Sequence, residues 1–137
     1  MAATRLISRT LLAATALAGT ALTPAASAAP APPPQVTFMN LSVQPDTSAR
    51  DSRTTVLTCD PAGGTHPNAG AACSTLSSAH GDFAALPTAH SNTVCPQIYK
   101  PVTFTAQGTW HDRPVQFHKK FANACVASSQ TGQVFQF

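Results

Sequence analysis

The pattern of apolar and polar residues predicts two strands near the start of the folded part of the chain. The stretch 36–43 has the composition of a strand, and from Met39 to Val43 every second residue is apolar. The stretch 54–58 is rich in β-branched residues, which favour strands. Residues 45–53 between them are polar and turn-like, so we expect the two strands to pair as a hairpin.

A helix is predicted next along the chain. Residues 60–69 contain two prolines and two glycines and therefore predict a loop. Residues 71–80 are small and helix-tolerant, and their apolar members recur at helical spacing. Gly81 follows at the point where a helix is expected to end.

Further strands are predicted in the last third of the chain. Residues 102–106 and 115–121 read as two antiparallel strands joined by a turn around 110–114. Residues 123–130 are polar, and the final stretch 134–137 alternates two phenylalanines as a last strand would. Strands with a single helix indicate the α+β class, built on an antiparallel sheet.

The first 28 residues have the organisation of a secretory signal peptide. Two arginines and no acid precede an apolar run at 11–22, and the small-residue sequence Ala-Ser-Ala ends at Ala28. The apolar run is shorter than the roughly 20 residues that a membrane span needs. We therefore expect a secreted, extracellular chain that starts at Ala29 and has no membrane partner.

The remaining chain is nearly neutral and short enough for one domain. Residues 29–35 are proline-rich and predict a flexible tail, which leaves 36–137 as a single domain. From residue 29 onward there are six basic and five acidic residues, a net charge of +1 with neutral histidines. They form no basic stripe, so we expect no nucleic-acid partner.

Four cysteines in a small exported domain predict two disulfides. Three pairings are possible, and sequence order favours Cys59 with Cys73 and Cys95 with Cys125, since each pair then closes its own loop. The alternative is a zinc site that combines these cysteines with some of the histidines, His66, His80, His90, His111 and His118. No C-x-x-C or H-x-x-x-H spacing is present, so we expect no metal and no cofactor.

The sequence gives little support to an enzyme. It contains neither G-x-S-x-G nor H-E-x-x-H, and no cysteine is expected to be free for nucleophilic attack. Asp82, His90 and Ser91 are close in sequence, but their grouping fits a solvated loop better than a catalytic site.

The candidate functional site is the stretch 94–101, which reads Val-Cys-Pro-Gln-Ile-Tyr-Lys-Pro. Pro96 and Pro101 fix φ and push the preceding residues toward extended geometry, and Cys95 is available for cross-linking. An extended, stiffened and exposed strand is what a protease active site binds. The same residues also fit an ordinary loop that leads into the next strand.

Several stretches together resemble one family. They are Thr55-Val56-Leu57-Thr58-Cys59, Gly64-Thr65-His66-Pro67 with Gly70 and Cys73, Cys95-Pro96 with Tyr99 and Pro101-Val102, Gly108, Trp110, Phe121-Ala122-Asn123 with Cys125, and Val134-Phe135-Gln136-Phe137. In this order and spacing they are similar to the Streptomyces subtilisin inhibitor family. The resemblance implies a secreted, homodimeric inhibitor of subtilisin-like serine proteases, with a five-stranded antiparallel β-sheet, two short α-helices and two disulfides.

The resemblance also assigns roles to residues of the candidate site. In that family the reactive bond follows the residue two after the third cysteine, which here implies the bond between Gln97 and Ile98 as P1–P1′. It further implies a supporting role for Asn123 beneath the loop. The other residues implied to contact the protease are Val94, Cys95, Pro96, Tyr99 and Lys100.

Two residues depart from the usual family pattern. Gln97 is neither the large apolar P1 residue suited to a subtilisin pocket nor the Lys or Arg suited to a trypsin-like one. Asn40 stands where the first strand usually has an aliphatic residue, and family dimers pack through a sheet face. An exposed glutamine with Lys100 nearby also suggests an alternative function, that of a transglutaminase substrate or binding module, although the scaffold as a whole favours inhibition.

Overall fold

The computed structural model describes residues 30–87 and 93–137. The predicted signal peptide lies outside these ranges, as do His90 and Ser91. The unit that carries the candidate site spans Pro33–Phe137. Its first residues, 33–36, are exposed and have no regular secondary structure.

Within the described residues, five antiparallel strands form one sheet in the order β3-β2-β1-β4-β5. They are β1 (Thr37–Pro45), β2 (Arg53–Cys59), β3 (Gly63–Gly64), β4 (Val102–Trp110) and β5 (Arg113–Phe121). The predicted hairpin is confirmed, because Met39 of β1 pairs with Leu57 of β2. The predicted α+β class with a five-stranded antiparallel sheet, two α-helices and two disulfides is also confirmed.

Strand β1 is central in the sheet, and from Met39 to Val43 its buried and exposed residues alternate as its apolar and polar residues do. It pairs with β2 on one side and β4 on the other, so both of its edges are satisfied. Met39, Leu41 and Val43 are buried on one face, whereas Phe38 and Asn40 are exposed on the other. One face of the sheet therefore faces the core.

Strand β4 continues four residues beyond the predicted end at residue 106, as far as Trp110. Gly108 makes this possible: it has φ +152°, and a Cβ there would lie 2.0 Å from the carbonyl oxygen of Phe38 on β1. The turn to β5 consists only of His111 and Asp112, with φ values of 46° and 61°. Positive φ at both positions is the geometry of a tight two-residue hairpin, so the predicted turn around 110–114 was too long.

Two α-helices cover the inner face of the sheet. Helix α1 (Ala69–Ser78) starts two residues before the predicted 71–80, and Cys73 in it is bonded to Cys59 at the end of β2. Helix α2 (Ala124–Thr131) forms in the polar stretch 123–130, for which only the family resemblance implied a second helix. It has no apolar stripe and buries only Ala127 and Thr131.

The predicted last strand at 134–137 is wrong. Residues Gly132–Phe135 form a 3-10 helix that follows α2 directly. Val134 and Phe135 are both buried, whereas a strand would turn one of two neighbours away from the core. The Phe135 ring stacks on Phe104 of β4, with ring centroids 4.6 Å apart, so core packing determines the local structure here.

The core lies between the inner face of the sheet and the helical segments. Its largest fully buried side chains are Met39, Leu41, Leu57, Leu76, Val134 and Thr131. In the described ranges, no helix has both the length and the apolar character needed to cross a bilayer.

Candidate functional site: the exposed loop 93–101

The exposed loop, residues 93–101, leads into β4 and has no regular secondary structure. Three of its large apolar side chains face solvent: Val94 is 94% exposed, Tyr99 77% and Ile98 63%. Most other large apolar side chains of the described residues are buried. Apolar groups concentrated on an exposed segment indicate a surface that contacts another molecule.

A disulfide anchors the start of this loop. Cys95 is bonded to Cys125 in the first turn of α2, with 5.7 Å between their Cα atoms. Cys59 is bonded to Cys73, so both bridges are those that sequence order favoured. Only the bridge of Cys95 holds the loop, since Cys59 and Cys73 join β2 to α1.

Asn123 supports the middle of the loop. Its Nδ2 donates hydrogen bonds to the carbonyl oxygens of Pro96, at 3.1 Å, and Ile98, at 3.0 Å. These two carbonyls lie on either side of Gln97 in the chain. The Gln97–Ile98 peptide bond is thus located in the part of the loop that Asn123 holds.

The same side chain caps α2, and this cap fixes its orientation. Asn123 is the N-cap residue, and its Oδ1 accepts a hydrogen bond from the backbone N–H of Val126 at 2.9 Å. Asparagine is favoured at this position because the first N–H groups of a helix lack partners within the helix. With Oδ1 bound to the helix, the Nδ2 amide points at the loop. Asn123 is buried, at 8% exposure, and its three hydrogen bonds are partly buried, which limits competition from water.

Backbone hydrogen bonds hold the end of the loop. The N–H of Lys100 donates to the carbonyl oxygen of Ala122 at 2.9 Å, and the carbonyl oxygen of Pro101 accepts from the N–H of Asp46 at 3.0 Å. The loop is therefore attached at its start, its middle and its end, while most of its side chains other than Cys95 are exposed. Such a segment is stiff although it has no secondary structure of its own.

Beneath the loop are open depressions rather than a closed cleft. Two of them, of about 290 and 340 Å³, lie beside the support from Asn123, and Pro96, Ile98 and Asn123 line both. The loop stands above this space as a ridge. A ridge inserts into the cleft of a partner, whereas an enzyme active site is usually the concave side.

His66, one of the potential zinc ligands, has a structural position instead. Its Nδ1 accepts from the N–H of Asn68 at 3.0 Å, and its Nε2 donates to the carbonyl oxygen of Val134 at 3.1 Å. Burial lowers the pKa of His66 below its ordinary value, although the hydrogen bond to Val134 opposes that shift. Among the described residues, no three His, Cys, Asp or Glu side chains come together as a metal site.

Sequence reasoning identified the loop and, through the resemblance, Asn123, but it missed two supports. Ala122 and Asp46 hold the end of the loop through backbone atoms. Backbone contacts of this kind leave no mark on residue type, and Asp46 is more than 50 positions away from Pro101. No sequence signal pointed to them.

Comparison with known families shows which family this chain belongs to. The family described as subtilisin inhibitor-like matches residues 35–123, a range that includes the exposed loop and the Asn123 beneath it. The chain belongs to this family. Its members are protease inhibitors, so the chain is not an enzyme.

Inhibitors from several Streptomyces species are similar to this family member. "Protease inhibitor SIL-V1/SIL-V4" of Streptomyces netropsis is 48% identical over 101 residues, which cover 71% of this chain and 92% of the relative. "Subtilase-type protease inhibitor" of Streptomyces coelicolor is 43% identical over 91 residues, covering 66% of this chain and 62% of the relative. "Subtilisin inhibitor" of Streptomyces albogriseolus is 39% identical over 92 residues, covering 66% and 63%.

A solved structure shares the fold. The crystal structure of Streptomyces caespitosus sermetstatin in complex with Bacillus licheniformis subtilisin superposes with a TM-score of 0.60 and 32% sequence identity. The match covers 74% of this chain and 99% of sermetstatin. An inhibitor of this fold is therefore known in complex with a subtilisin.

Proposed function

We propose that this chain inhibits subtilisin-like serine endopeptidases by presenting the exposed loop as a substrate, with Gln97–Ile98 as the scissile bond. The observation that carries the proposal is the pair of hydrogen bonds from Asn123 to Pro96 and Ile98 on either side of Gln97. The family match, the named inhibitors and the subtilisin-bound relative support the same function.

The attachments of the loop explain how a protease that cuts the Gln97–Ile98 bond also allows it to re-form, which makes net cleavage slow. The serine oxygen of the protease attacks the carbonyl carbon of Gln97, forms an ester, and releases the amine of Ile98. The disulfide of Cys95 and the support of Asn123 keep the two new ends together. The amine can then attack the ester and expel the serine oxygen before water does, because it is held at high effective concentration. The peptide bond is re-formed and the inhibitor is released intact.

The side chains on either side of the bond provide the contacts. In this assignment Val94, Cys95 and Pro96 occupy P4, P3 and P2, and Tyr99 occupies P2′, with Lys100 beyond it. Val94 and Tyr99 are the most exposed large apolar residues of the loop, so they bury the most surface on docking. A loop that is already rigid loses little entropy when it binds, and its contacts therefore yield net affinity.

A panel of proteases tests the proposed function. We expect the purified protein to titrate subtilisin stoichiometrically and to have little effect on trypsin, with chymotrypsin and a glutamate-specific protease completing the panel. A trypsin-like pocket would leave its buried carboxylate facing the uncharged amide of Gln97, which costs about 2 kcal/mol or more. The proposal is contradicted if the protein inhibits none of the four enzymes.

Secretion and a homodimer belong to the same proposal. Two disulfides in so small a domain favour an oxidising, extracellular location. The outer face of the sheet, which includes Phe38 at 42% exposure, is the surface available for a second copy. Sedimentation equilibrium tests the dimer, and Asn40→Val is expected to strengthen it by removing a polar group from that face.

A transglutaminase substrate is the second candidate function, and the exposure of Gln97 favours it. The amide is accessible on an extended segment, as an acyl donor must be. Incubation with transglutaminase and a fluorescent amine distinguishes the two functions. Labelling of Gln97 alone supports a donor role, and absence of labelling leaves inhibition as the function.

A further inference from the structure

We propose that Asp46 and Lys120 are positioning residues that hold the primed half of the loop, residues 98–101, against the sheet. The inference rests on the proposed function, because it takes Gln97–Ile98 as the bond that the protease attacks. Both residues lie outside the loop, and their contact contributes to the balance between intact and cleaved inhibitor.

Asp46 contacts both strands that flank the exit of the loop. It follows Pro45, which pairs with Val102 at the start of β4, and its N–H donates to the carbonyl oxygen of Pro101 at 3.0 Å. Its carboxylate forms an ion pair with the Nζ of Lys120. One residue thus connects the loop end to a neighbouring strand through its backbone and to β5 through its side chain.

Lys120 completes the connection from the far side of β4. It lies on β5 opposite Thr103, one residue beyond the pairing of Val102 with Phe121. The hydrogen bond to Asp46 and the negative charge of its carboxylate raise the pKa of Lys120, so the ammonium group of Lys120 is charged at neutral pH. The side chain of Asp46 is 33% exposed and that of Lys120 is 53% exposed, so water partly screens the pair.

The primed half needs these contacts more than the unprimed half does. Hydrolysis adds one water, leaves a carboxyl group on Gln97 and an amine on Ile98, and separates the two halves of the loop. The unprimed half stays covalently attached through Cys95. The primed half keeps only its continuation into β4 and non-covalent bonds, so the position of the Ile98 amine depends on how firmly the loop exit is held.

Loosening the exit therefore moves the equilibrium between intact and cleaved chain. A mobile amine gains entropy in the cleaved form and meets the Gln97 carboxyl less often, which favours the cleaved state. We expect Asp46→Asn and Lys120→Gln each to raise the ratio of cleaved to intact chain by about two- to fivefold, the range that a partly exposed ion pair supports. Asp46→Asn keeps the backbone donor, so it tests the side-chain pair alone.

The ratio of cleaved to intact chain is measured at equilibrium with a catalytic amount of Bacillus licheniformis subtilisin. One reaction starts from intact protein and one from cleaved protein, and both are followed until they reach the same ratio. Lys120→Arg keeps the charge and is expected to keep the wild-type ratio. High salt is expected to bring Asp46→Asn and wild type closer together, because it screens an exposed pair. Thermal unfolding is recorded for every variant, since a merely structural role lowers the melting temperature and leaves the ratio unchanged.

Asp60→Asn is the matched control. Asp60 pairs with His111 at 3.0 Å, beside the β4–β5 turn at the opposite end of the sheet. The same chemical change there is expected to leave the ratio unaltered. The positioning role is overturned if Asp60→Asn shifts the ratio of cleaved to intact chain as much as Asp46→Asn does. It is also overturned if both Asp46→Asn and Lys120→Gln leave that ratio unchanged. A wild-type chain that subtilisin cuts elsewhere overturns the proposed function and this inference together.

Discussion

The side-chain amide of Asn123 donates to the carbonyl oxygen of Ile98 at 3.0 Å, although the two residues are 25 positions apart in the chain. Because the same side chain also accepts from Val126, the helix start and the loop are held by one residue. Helix α2 therefore sets the position of the loop, and the disulfide of Cys125 reinforces this from the same helix.

Asn123→Asp is predicted to weaken inhibition while leaving the helix capped. Aspartate still accepts from Val126 and suits the helix N-terminus, but it cannot donate to Pro96 or Ile98. Two lost hydrogen bonds of about 0.5 to 1.5 kcal/mol each imply an inhibition constant raised by about 5- to 150-fold. Inhibition titrations against subtilisin measure the change.

Asn123→Ala serves as the comparison for that variant. It loses the cap as well, which costs about 1 kcal/mol of stability that Asn123→Asp retains. If Asn123→Asp inhibits as well as wild type, the two hydrogen bonds to the loop have no part in inhibition.

The two disulfides are predicted to have different roles. Replacing Cys95 and Cys125 together by serine frees the loop at its start and should turn the inhibitor into a readily digested substrate. Replacing Cys59 and Cys73 should mainly lower stability, by about 3 kcal/mol on the entropy of loop closure. The measurements are the rate of digestion by subtilisin and the unfolding midpoint. Equal digestion of both double variants at the same fraction folded would show that global stability is what the bridges supply.

The buried His66 predicts a loss of stability in acid. Burial lowers its pKa in the folded chain below the ordinary value of about 6.5. As the pH falls below that value the unfolded chain takes up the proton first, so the free energy of unfolding decreases until the folded pKa is passed. Protonation of Nδ1 would also break its hydrogen bond with the N–H of Asn68, because both groups would then be donors.

His66→Gln removes this titration and is expected to lose that part of the pH dependence, although its stability at neutral pH is lower. Urea unfolding between about pH 7 and pH 5 measures the slope. His118→Gln, which removes an exposed histidine on β5, is measured beside it as the control for loss of a histidine elsewhere. A His66→Gln variant with the full acid-dependent loss would assign that loss to other groups.

Gln97 is predicted to determine which proteases are inhibited. Gln97→Met places an apolar side chain in a wide subtilisin pocket and should tighten binding about tenfold, from roughly 1.5 kcal/mol of added apolar burial. Gln97→Lys supplies the charge that a trypsin-like pocket pairs with and should create trypsin inhibition. Inhibition constants for both enzymes test this. Gln97 does not enter the pocket if neither variant changes either constant.

Sequence patterns were sufficient for the elements in which the order of apolar and small residues itself shows the buried face. Strict alternation from Met39 to Val43 predicted β1, and small helix-tolerant residues predicted α1 within two residues. The pattern was insufficient where packing decides. The extension of β4 past residue 106 depends on the close approach of Gly108 to β1, and the buried Phe135 is held by Phe104 in a 3-10 helix.

The candidate site divides in the same way. Two prolines and a cysteine indicated a stiff extended segment, since proline restricts the backbone whatever surrounds it. The bonds beneath it could not be predicted, because Asn123 acts across 25 positions and Ala122 and Asp46 act through backbone atoms. For Asn123 only the family resemblance gave the role.

The central claim is that subtilisin attacks the bond between Gln97 and Ile98, and mapping the cut tests it most directly. After long incubation with a trace of subtilisin, we predict a species heavier than the intact chain by one water, still in one piece until its disulfides are reduced. Reduction should then release a fragment whose first residue is Ile98. A first cut at any other bond, or rapid digestion with no stable once-cut species, would contradict the account.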